Sequence, residues 1–297
     1  MPSDDRDTLS NSYFAVAAMS FLVYDTLIHI GDEVEYIWCG RRSWIKYAYA
    51  FIRHVPYLAE VGLLEMIAPS HSQSAHPWRT DQCRIWLIFQ LTLNETLTVV
   101  VEAVFIARIY AMFKNNMLIV ATVLSLYLAE IIAMITVIAL SIPRMDISTS
   151  ACFITRTPPI WTSYWIISLS FETILFALTM SKFIALRNYG GRESFMFLLV
   201  RDGTWAYALI FLIMLLNTLM YHLVDNPLAG VCFLWQLSVM SFAGSHVLLN
   251  LRRFAVRSPQ SDSLWTVEEF ETIQYACPPL SQWCMDTTEE EDSTAHE

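Results

Sequence analysis

Carboxyl side chains recur within the most apolar stretches of this sequence, where an ionised group is costly and needs a partner or a wet cavity. Glu95 and Glu102 share one such stretch with Asn94, and two later stretches each contain one glutamate, Glu130 and Glu172. Away from water a carboxyl favours its neutral form, which can donate a hydrogen bond between helices. The alternative is a central cavity for a cationic ligand, or a path for protons. We predict a polar network or cavity formed by these five residues.

An ion pair is the second kind of chemistry that the sequence offers. Asp25 follows the apolar run SYFAVAAMSFLV, and Arg53 lies in the next apolar segment. If the two segments are sequential antiparallel helices, both side chains lie on the same side of the midplane. We predict an intramembrane ion pair between Asp25 and Arg53, because hydrogen-bonded neutralisation relieves both charges. Such a pair can also serve only to orient two helices.

Asp25 begins a stripe of polar residues that recur at helical spacing along one face. The stripe consists of Asp25, His29, Asp32, Glu33 and Tyr36. Carboxylates and an imidazole could bind a metal ion. A polar face on a helix end that leaves the membrane explains the stripe without one. We therefore predict no metal site, and we expect the later acids of the stripe to lie in water.

Long helices must position these residues. The chain has 297 residues, of which 55% are hydrophobic and 15% are charged, whereas an ordinary soluble domain carries about 25% charged residues. A helix needs about 20 mostly apolar residues to cross a membrane. Such segments occur at residues 12–30, 45–68, 85–107, 117–142, 160–186, 203–224 and 230–251. The predicted fold class is all-α, a bundle of seven transmembrane helices.

The distribution of Lys and Arg predicts the orientation of the bundle, because loops rich in these residues stay in the cytoplasm. The N-terminus and the even-numbered loops carry five Lys and Arg residues, whereas the odd-numbered loops and the C-terminal tail carry twelve. We expect the N-terminus outside and the C-terminus in the cytoplasm. The chain then divides into a short acidic N-terminus (1–11), a membrane domain (12–253) and an acidic tail (254–297) that we expect to be mostly disordered.

Two cysteines fall on the predicted outer face. Cys83 lies just before the third segment, and Cys152 lies in the loop between the fourth and the fifth. An oxidising compartment allows two such cysteines to pair. We predict a disulfide between them that ties the third segment to the second outer loop, although two unrelated loop thiols would have the same spacing.

Four stretches carry a resemblance to a known family: YDTLIHIGDEVEYIW, ARIYAMF, LVRDGTWAYALIFL and SHVLLNLR. Together they resemble a large group of basidiomycete multi-pass membrane proteins, whose N-terminal region is classed as a fungal domain of unknown function. The resemblance spans residues from about 13 to 253. It implies seven helices and a membrane location, and it supplies neither a substrate nor catalytic residues. Position 246 is His where the family pattern leads us to expect Arg.

A receptor-like sensor of a small or lipidic ligand is the function that we favour from the sequence. Arg108 and Tyr110 lie at the inner end of the third segment, in a position similar to the charged tripeptide of G-protein-coupled receptors. With Arg201 and Asp202 they could contact a cytoplasmic signalling partner. The bilayer is the other expected partner, and the plasma membrane is favoured over an internal membrane. This interpretation is an analogy of fold, which does not by itself give function.

A transporter or proton-coupled carrier that uses the intramembrane glutamates is the first alternative, although the sequence lacks inverted repeats. An intramembrane enzyme is the second. The seven histidines are scattered, and neither HExxH nor GxSxG occurs. We therefore expect no catalytic residues and no cofactor. Without a basic patch we also expect no binding of nucleic acid.

Overall fold

A computed structural model describes residues 3–38, 44–67, 80–113, 116–148, 153–188, 195–223 and 231–257 of the chain. In these ranges seven long helices coincide with the seven predicted segments. The helices are α1 (Ser3–Glu33), α2 (Trp44–Ile67), α3 (Thr80–Met112), α4 (Met117–Ser141), α5 (Trp161–Asn188), α6 (Phe195–Leu223) and α7 (Val231–Arg257).

Five of the described helices, α1, α3, α4, α5 and α6, are long and apolar enough to cross a membrane. Among them α4 is the most apolar and the least buried, whereas α3 is less apolar and the most buried. This relation is expected of helices in lipid, because only the faces that contact other helices can carry polar groups. The helices indicate a multi-pass integral membrane protein. Seven crossings and the orientation of the bundle stay predictions.

The two remaining helices, α2 and α7, are less apolar because polar side chains interrupt their middle turns. Arg53 and Glu60 in α2 are buried, as are Gln236, Ser238 and Ser241 in α7. α7 packs against α1, α2, α3 and α6. Its polar side chains therefore face other helices, and the modest apolarity of α7 reflects a position inside the bundle.

The first helix is longer than its apolar segment. α1 begins at Ser3, upstream of the predicted start near residue 12, and a π-helical turn at Val34–Trp38 extends it. Residues 3–11, which the sequence assigned to a separate N-terminus, are therefore helical. No Gly or Pro interrupts the sequence between Ser3 and residue 12, so nothing there terminates a helix.

The fold is all-α as predicted, and a short β-hairpin that the sequence did not predict follows α4. Pro143 lacks the N–H that a longer helix requires, and α4 gives way to a 3₁₀ turn at Ile142–Arg144. The strands β1 (Asp146–Ser148) and β2 (Phe153–Arg156) pair antiparallel. Strands of three and four residues are too short to show a recognisable alternation of polar and apolar residues.

The hairpin lies next to the predicted disulfide. β1 packs against α3, and Cys83 near the start of α3 is buried and disulfide-bonded. Cys152, which immediately precedes β2 in the sequence, lies outside the described residues. Its pairing with Cys83 therefore stays a prediction.

Gly244 of α7 marks a close approach to α2 and α3, and it provides a test of this packing. A Cβ atom at Gly244 would lie 2.9 Å from Ile52 Cγ2 and 3.1 Å from Val101 Cγ2. Both neighbours are β-branched and have little rotameric freedom. We expect Gly244→Ala to lower the free energy of unfolding by about 1–3 kcal/mol through overpacking.

The measurement is thermal unfolding of purified protein in one detergent. Gly31→Ala is the matched control, because a Cβ atom there meets no other atom within 4 Å. Equal melting temperatures for the two variants would contradict the close packing of α7.

Candidate functional site

Two clusters of polar side chains within the helices could carry chemistry. The ion-pair cluster joins α1, α2 and α7, and it consists of Asp25, His29, Glu33, Arg53 and His246. The glutamate cluster joins α3, α4 and α5, and it consists of Glu95, Glu102, Glu130 and Glu172.

Arg53 is the centre of the ion-pair cluster. Its side chain is 1% exposed, and its guanidinium donates hydrogen bonds to two carboxylates of α1. Nη1 donates to Asp25 Oδ2, and Nε donates to Glu33 Oε1 at 2.8 Å. Asp25 and Glu33 are eight residues apart and share one face of α1. A single guanidinium therefore binds two buried carboxylates and joins α1 to α2.

Residues of α7 complete the ion-pair cluster. Arg53 Nη1 also lies 3.4 Å from Ser245 Oγ, and His246 Nε2 lies 3.0 Å from Asp25 Oδ1. His29, one turn after Asp25, places Nδ1 3.2 Å from the same carboxylate oxygen and 2.9 Å from the backbone carbonyl of Asp25. The carboxylate of Asp25 thus contacts side chains from three helices.

The structure brings together Asp25 and Arg53, the two residues assigned to an ion pair from the sequence. The expectation that Glu33 lies in water is wrong, because Glu33 is 4% exposed and bonded to Arg53. α1 stays helical through this region and keeps the same face toward α2. Asp32 points elsewhere and pairs with Arg253 of α7, where both side chains are about one third exposed.

Sequence reasoning missed the position of His246 beside Asp25. The two residues are 221 positions apart, and no short-range spacing links them. Two signals were available: a polar residue near the end of the last apolar segment, and a family resemblance in which Arg is expected at position 246. Both predict a polar contact between helices, but neither identifies the partner.

The glutamate cluster is held on one side by hydrogen bonds. Glu95 is 9% exposed, and the Tyr164 hydroxyl of α5 donates to its Oε2 at 3.1 Å. Asn94 Nδ2 donates in turn to the Tyr164 hydroxyl oxygen at 3.2 Å. Asn94 and Glu95, both predicted to belong to the polar network, therefore share a tyrosine as their common neighbour.

The other three glutamates of the cluster are buried, with 5% exposure or less. Glu102 lies close enough to Glu95, Glu130 and Glu172 for their charges to interact. The structure thus brings together on three helices all four glutamates that the sequence assigned to a polar network.

Many carboxyl oxygens of the glutamate cluster have no hydrogen-bond partner among the described residues. They are both side-chain oxygens of Glu130 and of Glu172, and one oxygen each of Glu95 and Glu102. A buried polar atom without a partner costs about 1–3 kcal/mol. The cluster therefore has a large unused capacity to accept hydrogen bonds or to contact a cation.

An aromatic group adjoins the glutamate cluster at Tyr164. Trp161 stacks on Tyr164 with ring centroids 5.0 Å apart, and Trp165 stacks on Tyr221 at 5.2 Å. The Tyr164 and Trp165 rings meet edge to face at 5.0 Å. Carboxylates and aromatic rings therefore lie together on this side of the cluster. Both can attract a cation, because aromatic faces carry negative electrostatic potential.

Of the four residues predicted to contact a cytoplasmic partner, the structure describes the side chains of Arg108 and Tyr110. Arg108 is buried, whereas Tyr110, two positions later on α3, is exposed. Arg201 and Asp202 belong to α6, and their side chains are outside the described part. A role of these residues in coupling stays a prediction.

The ion-pair cluster generates a stability prediction. Arg53→Met removes the guanidinium and leaves Asp25 and Glu33 buried without a compensating positive charge. We expect a loss of about 3–5 kcal/mol in the free energy of unfolding, the usual cost of breaking a buried ion pair from one side. The measurement is the thermal or denaturant unfolding of the detergent-solubilised protein.

Arg253→Met is the matched control for this experiment. The pair of Arg253 with Asp32 is about one third exposed, and such pairs contribute about 0–1 kcal/mol. If the two variants lost the same stability, Arg53 would not have the structural role described above.

Comparison with known proteins gives one partial match. No curated protein and no solved structure matches the chain. Residues 13–58, which cover most of α1 and the first part of α2, match a family of unknown function, DUF6533. The N-terminal resemblance to a domain of unknown function is supported to this extent, and the fungal assignment stays a prediction. The segment that is similar to this family contains Asp25, Glu33 and Arg53, and therefore the whole central ion pair.

Proposed function

We propose that this integral membrane protein is a receptor-like sensor that binds a small organic cation at the glutamate cluster. The single observation that carries the proposal is the set of buried carboxyl oxygens on Glu95, Glu102, Glu130 and Glu172 without partners among the described residues. An ammonium or amidinium group supplies both the positive charge and the N–H donors that such oxygens lack.

The conservative alternative is that these glutamates are neutral and only donate hydrogen bonds between helices. That interpretation requires an acceptor near each carboxyl group. Neither oxygen of Glu130 or Glu172 has a hydrogen-bond partner in the described part of the chain. These two residues, from α4 and α5, therefore favour a ligand over a purely structural role.

The chemistry of the surrounding residues favours an organic amine over a bare metal ion. Tyr164 contacts Glu95 directly and stacks on Trp161. A ligand with a cationic head and an apolar body can use the carboxylates for its charge and the rings for its hydrocarbon. This combination is also compatible with a cationic lipid-like molecule that enters from the bilayer.

A route from ligand to partner runs along α3 in this proposal. Glu95 and Glu102 lie in the middle of α3, and Arg108 lies near its end. A shift of α3 on ligand binding would move the region that we assign to the cytoplasmic face. The plasma membrane, with the N-terminus outside, is the location that suits a sensor of this kind.

The first test is a thermal-shift screen of the purified protein with a panel of organic amines and cationic lipids. We expect at least one compound to raise the melting temperature of the wild-type protein. A ligand at 100 times its Kd stabilises the bound protein by about 2.7 kcal/mol. The shift should disappear in the double variant Glu95→Gln/Glu102→Gln, because the ligand then loses two carboxylates.

Glu60→Gln is the matched control, because Glu60 is an equally buried glutamate that contacts Ser238 outside the cluster. It should keep the ligand-dependent shift. If no compound stabilises the wild type, and the double variant is as stable as wild type at every pH, the glutamates have no role in binding and the proposal fails.

A proton-coupled carrier is the second candidate, because the four glutamates lie near one another on three helices, an arrangement that could pass a proton. In proteoliposomes a carrier should couple uptake of an amine to a change in internal pH. We expect Glu95→Gln to abolish both signals and Glu60→Gln to preserve them. Ligand binding without flux in wild-type vesicles would instead favour the sensor.

A further inference from the structure

We propose that Asp25, His29 and His246 form a binding site for a divalent transition-metal ion between α1 and α7. Each of these residues offers one ligand atom, and the three atoms all lie within 4.8 Å of one another. The proposed function does not depend on this site, because the site belongs to the ion-pair cluster and not to the glutamate cluster.

Two helices bring the three ligands together. Asp25 and His29 are one turn apart on α1, a spacing that directs both side chains to the same face. His246 reaches the same carboxylate from α7, with Nε2 3.0 Å from Asp25 Oδ1. The rings of His29 and His246 meet edge to face, with centroids 4.5 Å apart. A shared ion would replace these direct contacts and tie the two helices together.

Neighbouring side chains already orient the ligands. Arg53 binds the opposite oxygen of Asp25, Oδ2, so Oδ1 is directed toward the two imidazoles. His29 Nδ1 donates to the carbonyl oxygen of Asp25, which holds the ring beside the carboxylate, so an ion would bind at the other ring nitrogen, Nε2, or replace this bond at Nδ1. The Phe242 ring packs on His246 with centroids 4.3 Å apart. Such supporting contacts around the ligands are typical of metal sites in proteins.

The charges of the cluster also favour a cation. Two buried carboxylates, Asp25 and Glu33, face one guanidinium, Arg53. With neutral imidazoles the cluster carries one uncompensated negative charge, in a region where ions are poorly solvated. A divalent ion at Asp25 Oδ1 would compensate this charge on the side opposite Arg53.

Access and donor type define the class of ion. The side chains of His29 and His246 are 27% and 25% exposed, whereas that of Asp25 is 5% exposed. The histidine side is therefore the more open side of the site, where a further ligand could complete the coordination of an ion. Two imidazole nitrogens and one carboxylate oxygen suit Zn²⁺, Co²⁺, Ni²⁺ or Fe²⁺, and they do not suit Mg²⁺ or Ca²⁺, which prefer oxygen ligands alone.

The test uses the full-length protein, treated with a chelator, purified in detergent and titrated with Co²⁺. We expect protein-bound Co²⁺ to show visible absorption bands. These bands should disappear when Zn²⁺ is added, because Zn²⁺ displaces the Co²⁺ ion. His246→Gln and His29→Gln should each weaken Co²⁺ binding at least tenfold, since each removes one of three ligands while Gln keeps a polar group near Asp25. His54→Gln is the matched control, because His54 is exposed on α2 and its Nδ1 contacts the backbone of its own helix.

A second measurement needs no variant and remains valid if the substitutions impair folding. Zn²⁺ should protect His29 and His246, but not His54, from chemical modification of imidazole by diethyl pyrocarbonate in the wild-type protein. Protection of both residues supports the site. Equal modification with and without Zn²⁺, or Co²⁺ binding unchanged in folded His246→Gln and His29→Gln protein, would overturn the proposal.

Discussion

The burial of one guanidinium between two carboxylates is the constraint on which this bundle depends. Arg53 binds Asp25 and Glu33 at a depth where neither acid can rely on water. The contacts are directional, so they fix the rotation of α1 against α2. Ser245 and His246 bring α7 to the same point. The position of Gly244, where α7 closely approaches α2 and α3, lies beside this junction.

The two polar clusters differ in whether their buried carboxyl groups have partners. In the ion-pair cluster each carboxylate has a partner, and the main effect is to join helices. In the glutamate cluster the oxygens of Glu130 and Glu172 have no partner among the described residues. The free-energy cost of burying these oxygens is not offset by the described residues, which suggests that a bound group from outside the protein offsets it. This contrast is the physical reason for placing the organic cation at the glutamates and for assigning helix assembly to Arg53.

Much of the architecture could be predicted from the sequence, because long apolar segments are a strong signal. The positions of all seven helices followed from this signal, and the depth of Asp25 and Arg53 in adjacent helices indicated their contact. Periodicity could not predict the hairpin, whose strands are too short. It also misjudged Glu33, because a residue near a helix end can face either water or a neighbouring helix. The contact of His246 with Asp25 depends on how α1 packs against α7, which local spacing does not encode.

The central position of α7 has a consequence for the assembly of the protein during synthesis. A helix with Gln236, Ser238 and Ser241 in its middle turns gains little from lipid alone, so its stable position depends on other helices. The helices that contact it, α1, α2, α3 and α6, all precede it in the chain. The ribosome therefore synthesises the four helices that contact α7 before it synthesises α7 itself. In a truncated chain without α7, Asp25, Arg53 and Glu60 would lose the contacts that α7 makes with them and would face the bilayer.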